Sequence, residues 1–350
     1  MKNLKKMNNI RILILIVLAF IISCCLILMG CSNENRQAPL ESIDPLPIGS
    51  EAYYANLRAF KKTPHQISYG WFGASGVPHL EASMQSRWMG LPDSLDIVST
   101  WSGFPEKDSP GYKEMKFVQE VKGTRIVYLS MSNDAFFDET IKDFKKTYFD
   151  GQTKEKLKEG FNILAKKLYD DIATKGLDGV DFDHEPTVCG CNTWNITYNN
   201  NDFGLFIEAL GKYFGPISGT GKMLIIDGEI DQIPSVAGRY ISYAVTQSYG
   251  TNDSQIIQER YNQISSWATP DKYIVTENFE ELWRTGGKEN FSDPVNGIIP
   301  GMYGLAYWNP TQGSKGGAGI FHIEYDYGNS PQYKFTRKMI QILNPAPKPK

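Results

Sequence analysis

The chain has 350 residues, 41% of them apolar and 21% charged, and carries a net charge of −3. That length gives room for a large core, and the composition excludes disordered, collagenous and disulfide-dense classes. With 36 basic residues against 39 acidic ones and no cationic block, it also excludes the basic footprint of a nucleic-acid-binding protein.

The first 30 residues stand apart. Lys2, Lys5, Lys6 and Arg11 precede a nearly unbroken apolar run from Ile12 to Met29, closed by Gly30-Cys31. Cations, then an apolar stretch, then a small residue is the order of a secretory signal. Leu28-Met29-Gly30-Cys31 resembles a bacterial lipobox, in which the cysteine is lipidated and begins the mature protein. The run is also just long enough to cross a bilayer, so an uncleaved anchor is the other reading. Both put the remainder outside the cytoplasm, and the expectation is a protein lipid-anchored through Cys31 to the bacterial outer membrane, on the cell surface or the periplasmic face. Residues 31–50 are polar and contain Pro39, Pro45 and Pro47, as expected of a flexible linker. Residues 51–346 remain for one domain, expected to be monomeric.

Eight short apolar, β-rich runs follow in order: Ile67 to Phe72, Leu95 to Trp101, Arg125 to Ser130, Leu177 to Glu185, Met223 to Asp227, Ile241 to Tyr249, Tyr273 to Asn278 and Met302 to Trp308. Between the third and fourth, Phe161, Leu164, Ala165, Leu168, Tyr169, Ile172 and Ala173 have the spacing of an amphipathic helix, which Gly176 stops. Further helices are expected around 112–121, 202–214, 254–268 and 332–343. Parallel strands need crossovers, and eight strand-helix units in one domain predict a single α/β fold, the (β/α)8 TIM barrel. An open doubly wound sheet is the alternative, but no Gly-x-Gly-x-x-Gly turn follows an early strand.

The fourth run holds the densest chemistry, Asp178-Gly-Val-Asp181-Phe-Asp183-His-Glu185. Alternation along a strand sends Asp181, Asp183 and Glu185 to one face, about 7 Å apart per step. Like charges on one strand face cost stability, which invites a functional explanation. A general acid must hold its proton near neutral pH, and a neighbouring carboxylate with partial burial favours that. Asp183 supplies the charge beside Glu185, and Asp181, deeper in the barrel, can share a proton with Asp183. Binding of a cation such as Ca²⁺ is the competing use, but it needs six or more oxygens from a flexible loop; no metal and no cofactor is expected.

These residues match the Asp-x-x-Asp-x-Asp-x-Glu signature of glycoside hydrolase family 18, and the chain resembles that family in length and strand order. The resemblance implies a retaining, substrate-assisted hydrolysis that departs from the usual two-carboxylate scheme. Glu185 would protonate the glycosidic oxygen and later activate water, while Asp183 would orient the substrate's 2-acetamido group. In the sixth run Gln247-Ser248-Tyr249 resembles the Gln-x-Tyr pair of members acting on N-glycans, with Tyr249 on the acetamido oxygen and Gln247 on the sugar. In the eighth, Trp308 matches the tryptophan that floors the pocket beneath the cleaved sugar. Tyr69, Trp71 and Phe72 end the first strand, Trp101 the second and Asn278 the seventh, which makes them candidates to line the cleft; Tyr69 and Asn278 are assigned to substrate.

The third run departs from the common chitinase pattern, because Tyr128-Leu129-Ser130-Met131-Ser132-Asn133 stands in place of Ser-x-Gly-Gly, and no long insertion rich enough to form an extra α+β subdomain follows the seventh strand. The substrate expected is therefore the GlcNAc-β1,4-GlcNAc core of an N-glycan, cut by an endo-β-N-acetylglucosaminidase. A chitinase and a surface glycan-binding lipoprotein without turnover are the alternatives. Cys189 and Cys191 have one residue between them, which strains a mutual disulfide, and a local structural role is expected for them.

Overall fold

The computed structural model describes residues 49–131, 143–187 and 200–346. Cys31, the leader and most of the linker lie outside these residues, as do Ser132, Asn133, Cys189 and Cys191.

Eight parallel strands close into a barrel: β1 (Ile67–Phe72), β2 (Ile97–Thr100), β3 (Arg125–Met131), β4 (Gly179–His184), β5 (Met223–Gly228), β6 (Tyr243–Gln247), β7 (Tyr273–Asn278) and, after a two-stranded antiparallel hairpin β8 (Phe291–Asp293) and β9 (Gly297–Ile299), β10 (Gly317–Phe321). Going round the barrel, each strand pairs with its neighbour in sequence, and β10 closes between β7 and β1. Strict alternation separates two cores. Tyr69, Trp71, Ile97, Val127, Ile225, Val245 and Ile274 fill the interior. Phe72, Val98, Ile126, Val180, Phe182, Leu224, Ile226 and Val275 face outward and join the larger shell beneath the helices. Both faces of the strands are thus buried, which is why they read as nearly continuous apolar runs.

Helices span Glu51–Lys61, Pro110–Glu120, Lys154–Lys175, Asn200–Leu210, Ser254–Ile264 and Lys334–Leu343, with shorter ones at Phe144–Tyr148, Phe279–Leu282 and Gly301–Tyr307. The longest begins at Thr153, whose hydroxyl accepts from the Lys156 N–H, and ends at Gly176 with φ of 66°, a left-handed position that glycine occupies without Cβ strain. The helix expected from its apolar spacing is there, and its stop is where the glycine put it.

One strand assignment is corrected. Met302 to Trp308 is not the eighth strand but a helix, Gly301–Tyr307, in which Met302, Gly304, Leu305 and Ala306 are buried. A short, uniformly apolar run carries no period that tells a buried helix from a buried strand. The strand that closes the barrel reads Gly-Ala-Gly-Ile-Phe, with two residues of low β propensity. Both glycines are required by close approach: a Cβ on Gly317 would lie 2.0 Å from the Ile67 carbonyl oxygen, and one on Gly319 would lie 2.8 Å from that of Tyr69. The tight closure of β10 onto β1 thus removes the side chains by which a strand is recognised in sequence.

Candidate active site

The acidic run forms β4 and the first residue beyond it. Val180 and Phe182 point out into the helical shell, so Asp181, Asp183 and Glu185 point into the mouth of the barrel. His184 faces outward, stacked on Phe203 with ring centroids 4.1 Å apart, and burial lowers its pKa to about 4, which keeps it neutral. Asp178, the first aspartate of the motif, lies at the opposite end of the strand. It accepts from the Ile126 N–H at 2.8 Å and from the Gln119 amide at 2.7 Å, and so ties β3 to β4.

The three carboxyls differ in environment. Asp181 is fully buried, and its Oδ2 accepts from Ser99 Oγ at 2.7 Å, from Trp71 Nε1 at 3.0 Å and from the Tyr69 hydroxyl. Those donors reach across the interior from β1 and β2. Burial raises its pKa to about 6, against the pull of the three donors. Asp183 is 3% exposed and its Oδ1 has no partner among the described residues. Burial first, then the charges of Glu185 and Asp181, push its pKa up to about 8. Glu185 is half-buried and lines a cavity of about 330 Å³ with Gln247, Glu229, Asp231, Arg260 and Gln263. Glu229 fixes this rim by accepting from the Thr187 N–H at 2.6 Å, and its own N–H donates to the His184 carbonyl at 2.9 Å.

Asp227 is a fourth acid that the sequence reading left out of the site. It is 1% exposed on β5, in register with Asp183 on β4, and its Oδ1 also lacks a partner among the described residues. Burial, then Asp181, Asp183 and Glu185, raise its pKa well above the carboxylate range. The signal was present in the Ile225-Ile-Asp227 alternation at the C-terminal end of a barrel strand, the position where chemistry is found.

Gln247 ends β6 and reaches the cavity of Glu185. The run expected to continue as a strand to Tyr249 stops at Gln247, and a turn, with the Ser248 N–H donating to the Thr246 carbonyl at 3.0 Å, carries Tyr249 instead. The Tyr249 hydroxyl still lies among the acids: burial, Asp227, Asp183 and Glu185 together raise its pKa well above 10.0. Glu277 holds that turn, accepting from the Gly250 N–H at 2.9 Å and from the Lys288 N–H at 2.9 Å on the segment after β7. Glu277 faces away from the barrel interior, and the sequence reading did not single it out.

Two assignments to substrate, Trp308 and Tyr69, are corrected by position. Trp308 is at no strand end. It caps the helix Gly301–Tyr307, packs against Tyr273 at the start of β7 with centroids 6.1 Å apart, and its carbonyl accepts from Lys315 Nζ at 2.6 Å. That is the N-terminal side of the barrel. Tyr69 has no exposed surface and spends its hydroxyl on Asp181. Asn278 ends β7 as expected, half-buried, and its side-chain oxygen accepts from the Glu280 N–H at 2.8 Å, which caps the helix Phe279–Leu282. The aromatic wall is instead built around Phe321, at the end of β10. Its ring lies 4.7 Å from Trp101, 6.1 Å from Trp71 and 5.8 Å from Tyr249, the last pair stacked at 22°. Trp71 and Trp101 were both candidates from their strand ends; Phe321 was hidden by the misplaced eighth strand.

Residues 38–342 match the family model described as glycoside hydrolase family 18, BT1044-like. The chain is 30% identical over 320 residues to endo-β-N-acetylglucosaminidase F2 of Elizabethkingia meningoseptica, an alignment covering 83% of this chain and 85% of that protein. Among solved structures it resembles a selenomethionine BT1044 with a glutamate-to-glutamine substitution (TM-score 0.70, 26% identity, 84% of this chain and 93% of the other). It also resembles the apo endo-β-N-acetylglucosaminidase of Cordyceps militaris (TM-score 0.60, 26% identity, 85% and 97%). A barrel mouth with the full acidic motif on β4 and a family match spanning nearly all of the described residues lead to one conclusion: this chain belongs to glycoside hydrolase family 18.

Proposed function

We propose that this glycoside hydrolase is an endo-β-N-acetylglucosaminidase that cuts between the two core GlcNAc residues of N-glycans with retention of configuration. The observation that carries the reading is the convergence of Gln247, at the end of β6, and Tyr249, on the turn beyond it, on the acids of the β4 motif. Two of the similar proteins bear the name of this activity, which also supports it.

In this reading Glu185 donates its proton to the glycosidic oxygen as that bond breaks, and the substrate's acetamido oxygen attacks the anomeric carbon from the other side. Asp183 accepts a hydrogen bond from the acetamido N–H and turns the carbonyl towards the sugar, a gain in orientation. The Tyr249 hydroxyl donates to the acetamido oxygen as it closes the ring. Glu185, now a carboxylate, takes a proton from the water that opens the ring. Asp181, held by three donors, stays fixed beneath Asp183. Trp101 and Phe321 offer flat apolar rings to pyranose faces, and the buried Trp71 packs edge-on behind Phe321.

The deciding experiment incubates the soluble domain with high-mannose glycoprotein, complex glycoprotein and chitin oligomers, and weighs the products. Protein that retains a single GlcNAc at each site is the expected result. Cleavage of chitin alone would assign a chitinase, and binding without any product would assign a glycan receptor. We further propose that residues 1–30 are a lipoprotein signal, that 31–50 form a linker and that the domain is tethered at Cys31. Cys31→Ala should move the protein from the membrane fraction to the soluble one, and retention in the membrane would favour an uncleaved anchor.

A further inference from the structure

We propose that His322, oriented by Glu324, determines specificity on the non-reducing side of the cleaved GlcNAc, where its Nε2 accepts a hydrogen bond from a hydroxyl of the next sugar. The inference rests on the reading of the barrel mouth as a glycan cleft.

His322 follows β10 directly and stands at the mouth of the barrel. Its Nδ1 lies 2.6 Å from Glu324 Oε1, and Glu324 Oε2 accepts at 2.9 Å from the N–H of Gly73, the first residue beyond β1. A carboxylate only accepts, so the neutral ring carries its proton on Nδ1 and leaves Nε2 as an acceptor. Nε2 has no hydrogen-bond partner among the described residues, and the side chain keeps 14% of its surface open.

Three features hold the ring there. Glu324 is buried, with one oxygen on the ring and the other on Gly73. Gly73 has no positive φ, so its glycine provides room: a Cβ there would collide with Glu324 Oε1 and His322 Nδ1. His322 itself has a φ of 53°, a left-handed conformation that is unfavourable for a residue with a Cβ. Such strain persists where the surroundings enforce it, and it gathers at binding sites.

The position of the ring selects the ligand. Its centroid lies 4.4 Å from Phe321, 5.2 Å from Tyr325 and 6.0 Å from Trp101. Phe321 in turn stacks on Tyr249, whose hydroxyl lies among the acids. A pyranose held by Asp183 and Tyr249 thus sits beside Phe321, and His322 stands one ring further out. Glu185 is on the other side, because its cavity is lined from the ends of β4, β5 and β6, and β5 lies opposite β1 in the eight-stranded ring. The leaving half of the glycan is bonded to the oxygen that Glu185 protonates, so it lies towards that cavity. The half near β10 and β1 is the non-reducing one, which in an N-glycan core begins with mannose. A polar acceptor beside aromatic rings matches a sugar, whose edge carries hydroxyls and whose faces are apolar.

Binding is measured by isothermal titration calorimetry in the Glu185→Gln background, where turnover does not intrude. The ligands are two N-glycopeptides, one with its mannoses and one trimmed to the two core GlcNAc residues. His322→Ala should weaken binding of the mannosylated ligand about fivefold, the scale of one neutral hydrogen bond, and leave the trimmed ligand unchanged. His322→Gln, whose amide oxygen can take the place of Nε2, should recover most of the loss. Glu324→Gln should reproduce part of the loss and add nothing in the His322→Ala background, since Glu324 is a positioning residue that acts through the ring. Equal losses for the two ligands, or a lower denaturation midpoint with both affinities unchanged, would make the pair structural and overturn the inference. If chitin oligomers bind and N-glycopeptides do not, the N-glycan reading fails, and a His322→Ala loss confined to the chitin hexamer and absent from the dimer keeps His322 in its role. A loss shared by hexamer and dimer overturns that role, and binding of no ligand overturns both.

Discussion

At the N-terminal end of the barrel Asp96 is 5% exposed and both its oxygens are occupied, Oδ2 by the Ser68 N–H at 2.8 Å and the Ser68 hydroxyl at 2.7 Å, Oδ1 by His65 Nε2 at 3.0 Å. At the C-terminal end Asp183 and Asp227 are as deeply buried, and each leaves an oxygen without a donor. The same contrast holds for cations. Lys315, buried near the N-terminal end, donates to the carbonyls of Ala306 and Trp308 at 2.7 and 2.6 Å, and no cation sets the pKa of Asp181, Asp183 or Asp227 at the other end. Asp96 is satisfied on both oxygens, and a vacancy there would cost about 1–3 kcal/mol. Vacancies kept at the end of a barrel where ligands enter are groups waiting for a partner that the chain does not contain. Asp96 thus differs from Asp183 and Asp227 in that its hydrogen-bonding capacity is used up.

The contrast can be broken most forcefully at Glu185. Glu185→Gln should lower kcat by about 10³-fold, the scale of a lost general acid, while glycan affinity stays within a few fold. Equal rates for variant and wild type would remove Glu185 from the chemistry. Asp183→Asn should cost about 10²-fold in kcat through lost orientation of the acetamido group, yet gain stability relative to the wild type as pH rises. The sign follows from a folded pKa of about 8 above the usual carboxylate value. The protonated acid is favoured in the fold, so stability is fully present below the unfolded pKa and is lost as pH rises through about 8. Differential scanning calorimetry at several pH values checks this.

Asp96→Ala should do the reverse. Leaving the buried Ser68 and His65 groups without a partner should cost about 2 kcal/mol, read as a lower denaturation midpoint, with kcat of the folded protein unchanged. Phe321→Ala should lower kcat/KM by about tenfold, since its ring joins Trp71, Trp101 and Tyr249. Trp308→Phe should have the smallest effect, about 1 kcal/mol of stability, with activity within twofold. A large loss of activity in that variant would return Trp308 to the cleft.

Much of this was legible in the sequence because it is local. The β4 motif needs only period-two alternation to bring Asp181, Asp183 and Glu185 together, and the helix ending at Gly176 needs only its apolar spacing and its glycine. What was illegible depends on neighbours remote in sequence. β10 is glycine-rich because β1 passes too close for side chains, and Met302–Tyr307 is a helix because that segment packs over β7 instead of joining the barrel. Misplacing that one strand sent Trp308 to the cleft and hid Phe321. Tyr69 and Asn278 were read correctly as strand residues, but only the packing shows that one serves Asp181 and the other a helix cap.

The sequence by itself determined which acids stand together, since the motif's residues lie within eight positions of the chain and their spacing is fixed by backbone geometry. The tertiary structure alone decided which groups stand around them. Asp227 meets Asp183 through strand register, Tyr249 reaches the acids on a turn held by Glu277, and the aromatic wall gathers at the closing strand, because contacts between strands are set by how the barrel closes and not by any one segment's pattern.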